Sequence, residues 1–228
     1  VGFTFVRKVE YKYDSCHHRF VKKYLMEELL IFPYSGSGLE VLDCLQDSQE
    51  VSFISDDEQL VGKDYKGLLI KSREIISQST SKVITVHGSA LSFKNRLNVI
   101  NQLNIPVERL ATIIHPSAIV SKNASIGKNV FVSAGVVIGP NVIIEDHVII
   151  LANSTIHHDT IIKEASIVCG NVLIAGDVQV ESLVYVGAGV NIINGIKIGK
   201  KALLGIGSVV LKDVPEDETW IGSPAKRI

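Results

Sequence analysis

The sequence predicts an N-terminal α/β unit joined to a C-terminal parallel β-helix built from six-residue repeats. Three observations predict it. An aliphatic residue recurs at every sixth position from Ile114 to Val210, and a small or β-branched residue follows each one four places later, from Ala118 to Ser208. Before residue 113, apolar runs alternate with helical stretches, and the first of these joins passes through a glycine turn. An amphipathic helix repeats at 3.6 residues and a simple strand at 2, so neither sustains a period of six.

The chain has 228 residues, enough for one large or two modest domains. Its 23 basic and 24 acidic residues leave a formal net charge of −1, a balance that offers no field for nucleic acid or an anionic membrane. Cys16, Cys44 and Cys169 are odd in number and far apart, with no CxxC spacing, so a reducing, cytoplasmic setting is expected. No apolar run approaches the roughly 20 residues of a spanning helix, and the N-terminus lacks a signal peptide's order of regions, so no membrane partner is expected.

Residues 1–25, with Cys16-His17-His18, fit neither unit and stand as an unassigned extension, with Met26 resembling a natural start. Leu29–Tyr34 then reads as a strand that enters the turn Ser35-Gly36-Ser37-Gly38 and a helix over Leu39–Gln46. A second strand, Val51–Ile54, ends at Ser55-Asp56-Asp57, and a third, Lys82–Val86, leads into a helical segment through Leu103. This alternation predicts a small parallel sheet with ligands at the carboxyl ends of its strands. A glycine turn at a helix N-terminus presents N–H groups suited to phosphate, although such turns also serve as tight connections.

In the repeat region each hexad supplies one short strand and one corner, and three hexads, 18 residues, complete a coil. Strand alternation turns the aliphatic and small residues inward. The remaining pair turns the corner, and pairs such as Lys128-Asn129, Pro140-Asn141, Gly170-Asn171, Gly176-Asp177 and Asn194-Gly195 tolerate left-handed backbone. The run has no interruption, so no long loop is expected to leave it.

These hexads, with the closing segment Gly222-Ser223-Pro224-Ala225-Lys226, resemble the left-handed β-helix acyltransferases, which form homotrimers. Over residues 29–228 the order of units resembles the bacterial nucleotide-activated amino-sugar N-acetyltransferases, relatives of the sialic-acid O-acetyltransferases. That family's glycine loop reads roughly Gly-Ala-Gly-Gly-His-Gly, with an acidic pair after the second strand. Ser35, Gly36, Ser37, Gly38, Asp56 and Asp57 match in position, whereas Pro33, Tyr34 and Ser37 depart in type. The resemblance implies a Rossmann-like nucleotide-sugar-binding domain over 26–112 and a left-handed parallel β-helix over 113–228. It also implies a homotrimer with active sites between protomers, acetyl-CoA as co-substrate, and no metal.

Acetyl transfer to an amine needs a base, a donor to the developing oxyanion, and two substrates in contact. Among the seven histidines, His17 and His18 lie in the extension, His87 follows a strand, His115 begins the β-helix, and His147 sits at a corner. The register turns His157 outward from a strand and sets His158-Asp159 at a corner, with Gly176 stacked one coil later to leave room beside the ring. A His-Asp pair there also reads as one more polar corner. The resemblance places the base on His158 and its partner on Asp159, and puts acetyl-CoA near Gly176, Ala188, Gly205, Ile206 and Lys226. It would carry an Asn at Leu151 and a second histidine at Ile167.

The expected reaction is direct acetylation of the amine of a UDP- or dTDP-linked amino-dideoxy-sugar, because Cys169 has no activating neighbour that would favour a covalent relay. Sugar O-acetylation and a non-catalytic trimeric scaffold remain open. A carbonic anhydrase would need a third histidine beyond His147 and His158, and none is evident.

Overall fold

The structure, a computed structural model, describes residues 8–14, 19–25, 28–45 and 49–228. Within the extension that the sequence leaves unassigned, β1 (Lys8–Asp14) pairs antiparallel with β2 (Arg19–Leu25), Lys8 opposite Leu25 and Asp14 opposite Arg19. Cys16, His17, His18 and Met26 lie outside the described residues.

The α/β unit contains β3 (Leu29–Phe32), α1 (Gly36–Asp43), β4 (Val51–Ser55), β5 (Asp64–Tyr65), β6 (Leu68–Ser72), α2 (Ile75–Gln78), β7 (Lys82–Thr85) and α3 (Arg96–Gln102). The sheet order is β5-β6-β4-β3-β7, parallel except for the edge hairpin of β5 with β6. All four residues of β3 are buried, as expected of a strand covered on both faces. Leu30 and Phe32 point to one core with Ile76 and Leu103, while Leu29 and Ile31 point to another with Val41, Phe131, Ile149 and Ile167.

The sequence places the start of the first helix at Leu39, but α1 begins at Gly36. Ser35 is its N-cap and accepts a hydrogen bond from Gly38 N at 3.2 Å, so Gly36-Ser37-Gly38 is the first helical turn rather than a loop. Gly38 is glycine for close approach: a Cβ there would lie 2.7 Å from the Pro33 carbonyl oxygen and against Phe53. The strand β6, with its hairpin partner, was not read from the sequence.

From Ile113 onward, two-residue strands pair in parallel with strands 18 residues away, as in Val132 with Ile150, Ile150 with Val168, and Val168 with Val186. Three faces result. The first runs through residues 113–114, 131–132, 149–150, 167–168, 185–186 and 203–204 and closes on Thr219–Ile221; the second starts at 119–120 and the third at 125–126. Inward Val, Ile and Leu from all three form one core along the axis. The buried hydroxyls of that core are satisfied: Ser154 donates to Cys169 O at 2.8 Å and accepts from Val172 N, and Thr160 and Ser166 repeat the pattern.

One residue in every hexad from Asn129 to Gly207 takes left-handed backbone, with φ between 54° and 72°. Most are Asn, Asp or Gly, as the sequence suggests. His147, Ala165, Leu183 and Lys201 adopt it too, all on the corner between the third and first faces, where coil stacking overrides a local preference on the order of 1 kcal/mol.

The α/β unit packs on the first face. Outward-pointing Phe131, Ile149 and Ile167 are therefore 0–3% exposed, whereas outward Ile119 on the second face and Ile143 on the third are exposed. A buried polar seam locks this contact. Asn129 Oδ1 accepts from Thr85 N at 2.7 Å, and Arg96, fully buried, donates to the carbonyls of His87 and His147.

His147 closes the seam, accepting from Asn129 Nδ2 at 2.9 Å on its Nδ1. Burial and the nearby Arg96 guanidinium lower its pKa to about 4. Between the unfolded value near 6.5 and about 4, the unfolded chain binds the proton more readily. Stability is then full above pH 6.5 and falls by about 3 kcal/mol as pH drops to 4. Denaturant unfolding between pH 7 and 4 should show a loss that His147→Gln reduces; equal slopes in both proteins would count against it.

Candidate active site

His158 and Asp159 occupy the corner between the second and third faces, where Asp159 takes the left-handed position with φ 60°. Asp159 Oδ2 lies 2.8 Å from His158 Nδ1, and its Oδ1 accepts from Asn141 Nδ2, one coil earlier, at 2.9 Å. Those two contacts, Asn141 first, hold the Asp159 carboxyl below the usual carboxylate range. An ionised carboxylate at Nδ1 keeps the proton there and leaves the Nε2 lone pair free to accept one. His158 and Asp159 side chains are 58% and 52% exposed in the single chain. His157 is exposed beside them, with no side-chain hydrogen bond among the described residues.

Gly176 lies directly over the imidazole. A Cβ built there would approach Cε1, Nε2 and Nδ1 of His158 to 2.5, 2.7 and 3.0 Å, so any side chain at 176 displaces the ring. The Gly176 N–H engages no other described residue, while its carbonyl accepts from Gly195 N. A base with a free lone pair beside an unengaged backbone N–H can accept a proton from a nucleophile and stabilise an oxyanion. Because φ at 176 is ordinary, Gly176→Ala should fold with an unchanged Tm yet lower turnover on the order of 10²-fold through ring displacement. Wild-type turnover in this variant would show that the ring position is not needed.

The other residues expected around acetyl-CoA do not join this corner. Ala188 and Ile206 sit on the corner between the first and second faces. Ile206 is 80% exposed, and Gly205 lies against Ile221, which pairs with Lys226. Within one chain, Ala188, Gly205, Ile206 and Lys226 form one group and His158 with Gly176 another, with the second face between them. Ile167, where the resemblance would carry a histidine, is buried against Gly88 in the docking contact.

In the α/β unit, the carboxyl ends of β4 and β6 open onto a cavity of about 420 Å³ lined by Ser55, Asp56, Glu58, Ser72, Arg73 and Glu74. Asp56 pairs with Arg73 through both carboxylate oxygens, and Arg73 lies 5.3 Å over the Phe32 ring, which stacks on His87. Asp57 instead caps its own turn, accepting from Gln59 N at 2.9 Å, so the two acids are separated in role. Arg73 and His87 were not singled out as site residues; both follow strands at the ligand end of the sheet, which is the signal that could have found them. Cys169 is buried beside Tyr185, and burial raises its thiol pKa, which does not suit a nucleophile. No group of three metal-ligating side chains occurs among the described residues, and no helix there is long and apolar enough to cross a membrane.

A hexad β-helix with a histidine, a carboxylate and an open N–H on one corner carries the parts that acyl transfer needs, and comparison with known proteins finds acetyltransferases among those it is similar to. A family profile, the GMPPB C-terminal domain, matches residues 108–210. Among curated relatives, serine acetyltransferase of Buchnera aphidicola is 51% identical over 43 residues, 19% of this chain and 16% of that protein. Galactoside O-acetyltransferase of Lactococcus lactis is 44% identical over 41 residues, 18% of this chain and 20% of its own. The curated relatives it matches are thus covered over about a fifth of their length.

Solved structures match over far more of the chain. The acetyltransferase domain of PglB from Neisseria gonorrhoeae superposes with TM-score 0.79 at 22% identity, covering 89% of this chain and all of that one. PerB from Caulobacter crescentus, in complex with CoA and GDP-perosamine, gives TM-score 0.76 at 26% identity, covering 89% and 97%. The resemblance to sugar N-acetyltransferases of the hexapeptide-repeat family, read from the sequence, is supported.

Proposed function

We propose that this protein transfers the acetyl group of acetyl-CoA directly to the amino group of a nucleotide-linked amino-dideoxy-sugar. The observation that carries the reading is the His158–Asp159 pair beneath Gly176: an imidazole whose Nδ1 faces a carboxylate, next to an N–H that no other described residue engages. His158 Nε2 removes the proton as the sugar amine attacks the thioester carbonyl. Gly176 N–H donates to the oxygen on which negative charge develops, the intermediate collapses as the C–S bond breaks, and the proton held on His158 Nε2 passes to the departing sulfur to give the CoA thiol.

The placement of the other residues supports a homotrimer, in which acetyl-CoA lies between the corner of Ala188 and Ile206 on one protomer and the corner of His158 and Gly176 on its neighbour. The α/β unit covers the first face, which borders the Ala188 corner, while His158 stands on the corner opposite that face. One chain alone holds the two halves apart. We assign the α/β unit, a Rossmann-like domain over 26–112, to the nucleotide-sugar, with Asp56 and the α1 N-terminus contacting it, and the left-handed β-helix over 113–228 to acetyl transfer in the cytoplasm. UDP and dTDP are the nucleotides the family resemblance favours, and the PerB complex adds GDP to the candidates.

The test is acetyl-CoA-dependent thiol release with UDP-, dTDP- and GDP-linked amino-dideoxy-sugars, with the product's amide identified by mass. Release that depends on a free amine supports the proposal. Release only with hydroxyl acceptors would reassign the reaction to O-acetylation, and none with any sugar would leave a scaffold.

A further inference from the structure

We infer that Asn141 is a positioning residue that aims the His158–Asp159 pair from the coil beneath it. The inference rests on the reading of His158 as the base and extends it to a residue outside the acetyl-transfer chemistry itself.

Asp159 leaves the chain from a left-handed corner, where its carboxylate projects to solvent with more than half its surface exposed. A carboxylate so placed has several rotamers, and only some present an oxygen to His158 Nδ1. The amide of Asn141, stacked 18 residues earlier, donates to Oδ1 at 2.9 Å and thereby fixes the plane that delivers Oδ2 to the imidazole at 2.8 Å. Asn141 is itself left-handed, with φ 59°, so its side chain leaves the backbone in the same direction as that of Asp159 and the two stack. The equivalent asparagines on the other corners serve different ends. Asn129 is spent on Thr85 and His147 at the domain contact, and Asn153 and Asn171 make no such amide-to-carboxylate bond.

Residue type matters as well as position. Glycine at 141 would keep the backbone conformation and lose the donor. Aspartate would keep the shape but replace the donor with a second carboxylate facing Asp159, a like-charge contact.

The first readout needs no substrate. In protein labelled with ¹⁵N-histidine, the His158 ring, assigned by its loss in His158→Gln, should show a protonated Nδ1 and an unprotonated Nε2. Asn141→Gly should yield a mixture of the two tautomers, and Asn141→Asp should depart from the wild-type pattern as well. A wild-type tautomer in Asn141→Gly overturns the inference.

Kinetics give the second readout. Asn141→Gly should lower kcat on the order of tenfold, with KM for acetyl-CoA within about twofold. The same change in an Asp159→Ala background should cost nothing further, since its effect passes through that carboxylate. Equal losses in both backgrounds would mark a merely structural corner. If His158→Ala retains full turnover, the assignment of His158 as the base fails, while the tautomer measurement still decides the role of Asn141.

Discussion

His158→Ala should reduce kcat for acetyl transfer by about 10²-fold or more, the scale of a lost general base, while leaving Tm unchanged. The two halves of this expectation have separate physical grounds. The side chain is 58% exposed, and its ring lies against Asp159 and Gly176 at a surface corner, so its removal disturbs no core. In the proposed reaction the proton passes to a single lone pair at Nε2, which water near neutral pH replaces poorly. Thiol release under saturating acetyl-CoA, compared with wild type at the same pH, measures the loss. Unchanged release would move the base elsewhere, first to the adjacent exposed His157. Asp159→Asn should give an intermediate loss, because an amide can still meet Nδ1 but no longer fixes which nitrogen holds the proton.

Phe131→Ala should destabilise the protein by about 3–5 kcal/mol, the range for truncating a buried aromatic side chain. Phe131 points out of the β-helix yet is 0% exposed, because the α/β unit covers it together with Ile149 and Ile167. The cavity would open at the contact between the two units, next to the seam of Asn129, Thr85, His147 and Arg96. Chemical denaturation should therefore show either a lower midpoint or a split transition in which the α/β unit melts first. A loss under 1 kcal/mol with one unchanged transition would mean that the first face does not depend on this packing.

The six-residue period made the β-helix legible because every coil repeats one physical rule: an aliphatic residue inward, a small one inward, and a turn. His158 could be placed on a corner, and Gly176 above it, by counting 18, and the structure holds both there. The period is silent on what covers a face. Outward Phe131, Ile149 and Ile167 look in sequence like exposed aliphatic and aromatic residues, and only tertiary packing explains them. The same silence separated the expected acetyl-CoA residues into two groups, since counting gives a position along the axis more readily than an assembly. In the α/β unit local signals competed. Gly36 and Gly38 resemble a loop, but Ser35 caps a helix that starts at once, and the short β6 escaped because Leu68-Leu-Ile-Lys-Ser lacks both alternation and length.

The stacked coils also act as a ruler. Each turn advances the corner bearing His158 by one strand spacing, about 4.8 Å, and consumes 18 residues, as the pairing of Ile156 with Ile174 shows. Excising one whole turn between His158 and the C-terminus would leave every inward residue inward and shorten the reach from the imidazole to Lys226 by a single graduation. Deleting one residue instead would invert the facing of all that follows. A β-helix of this kind can therefore change the distance between two of its corners only in whole turns, and anything that must span them selects which number of turns is useful.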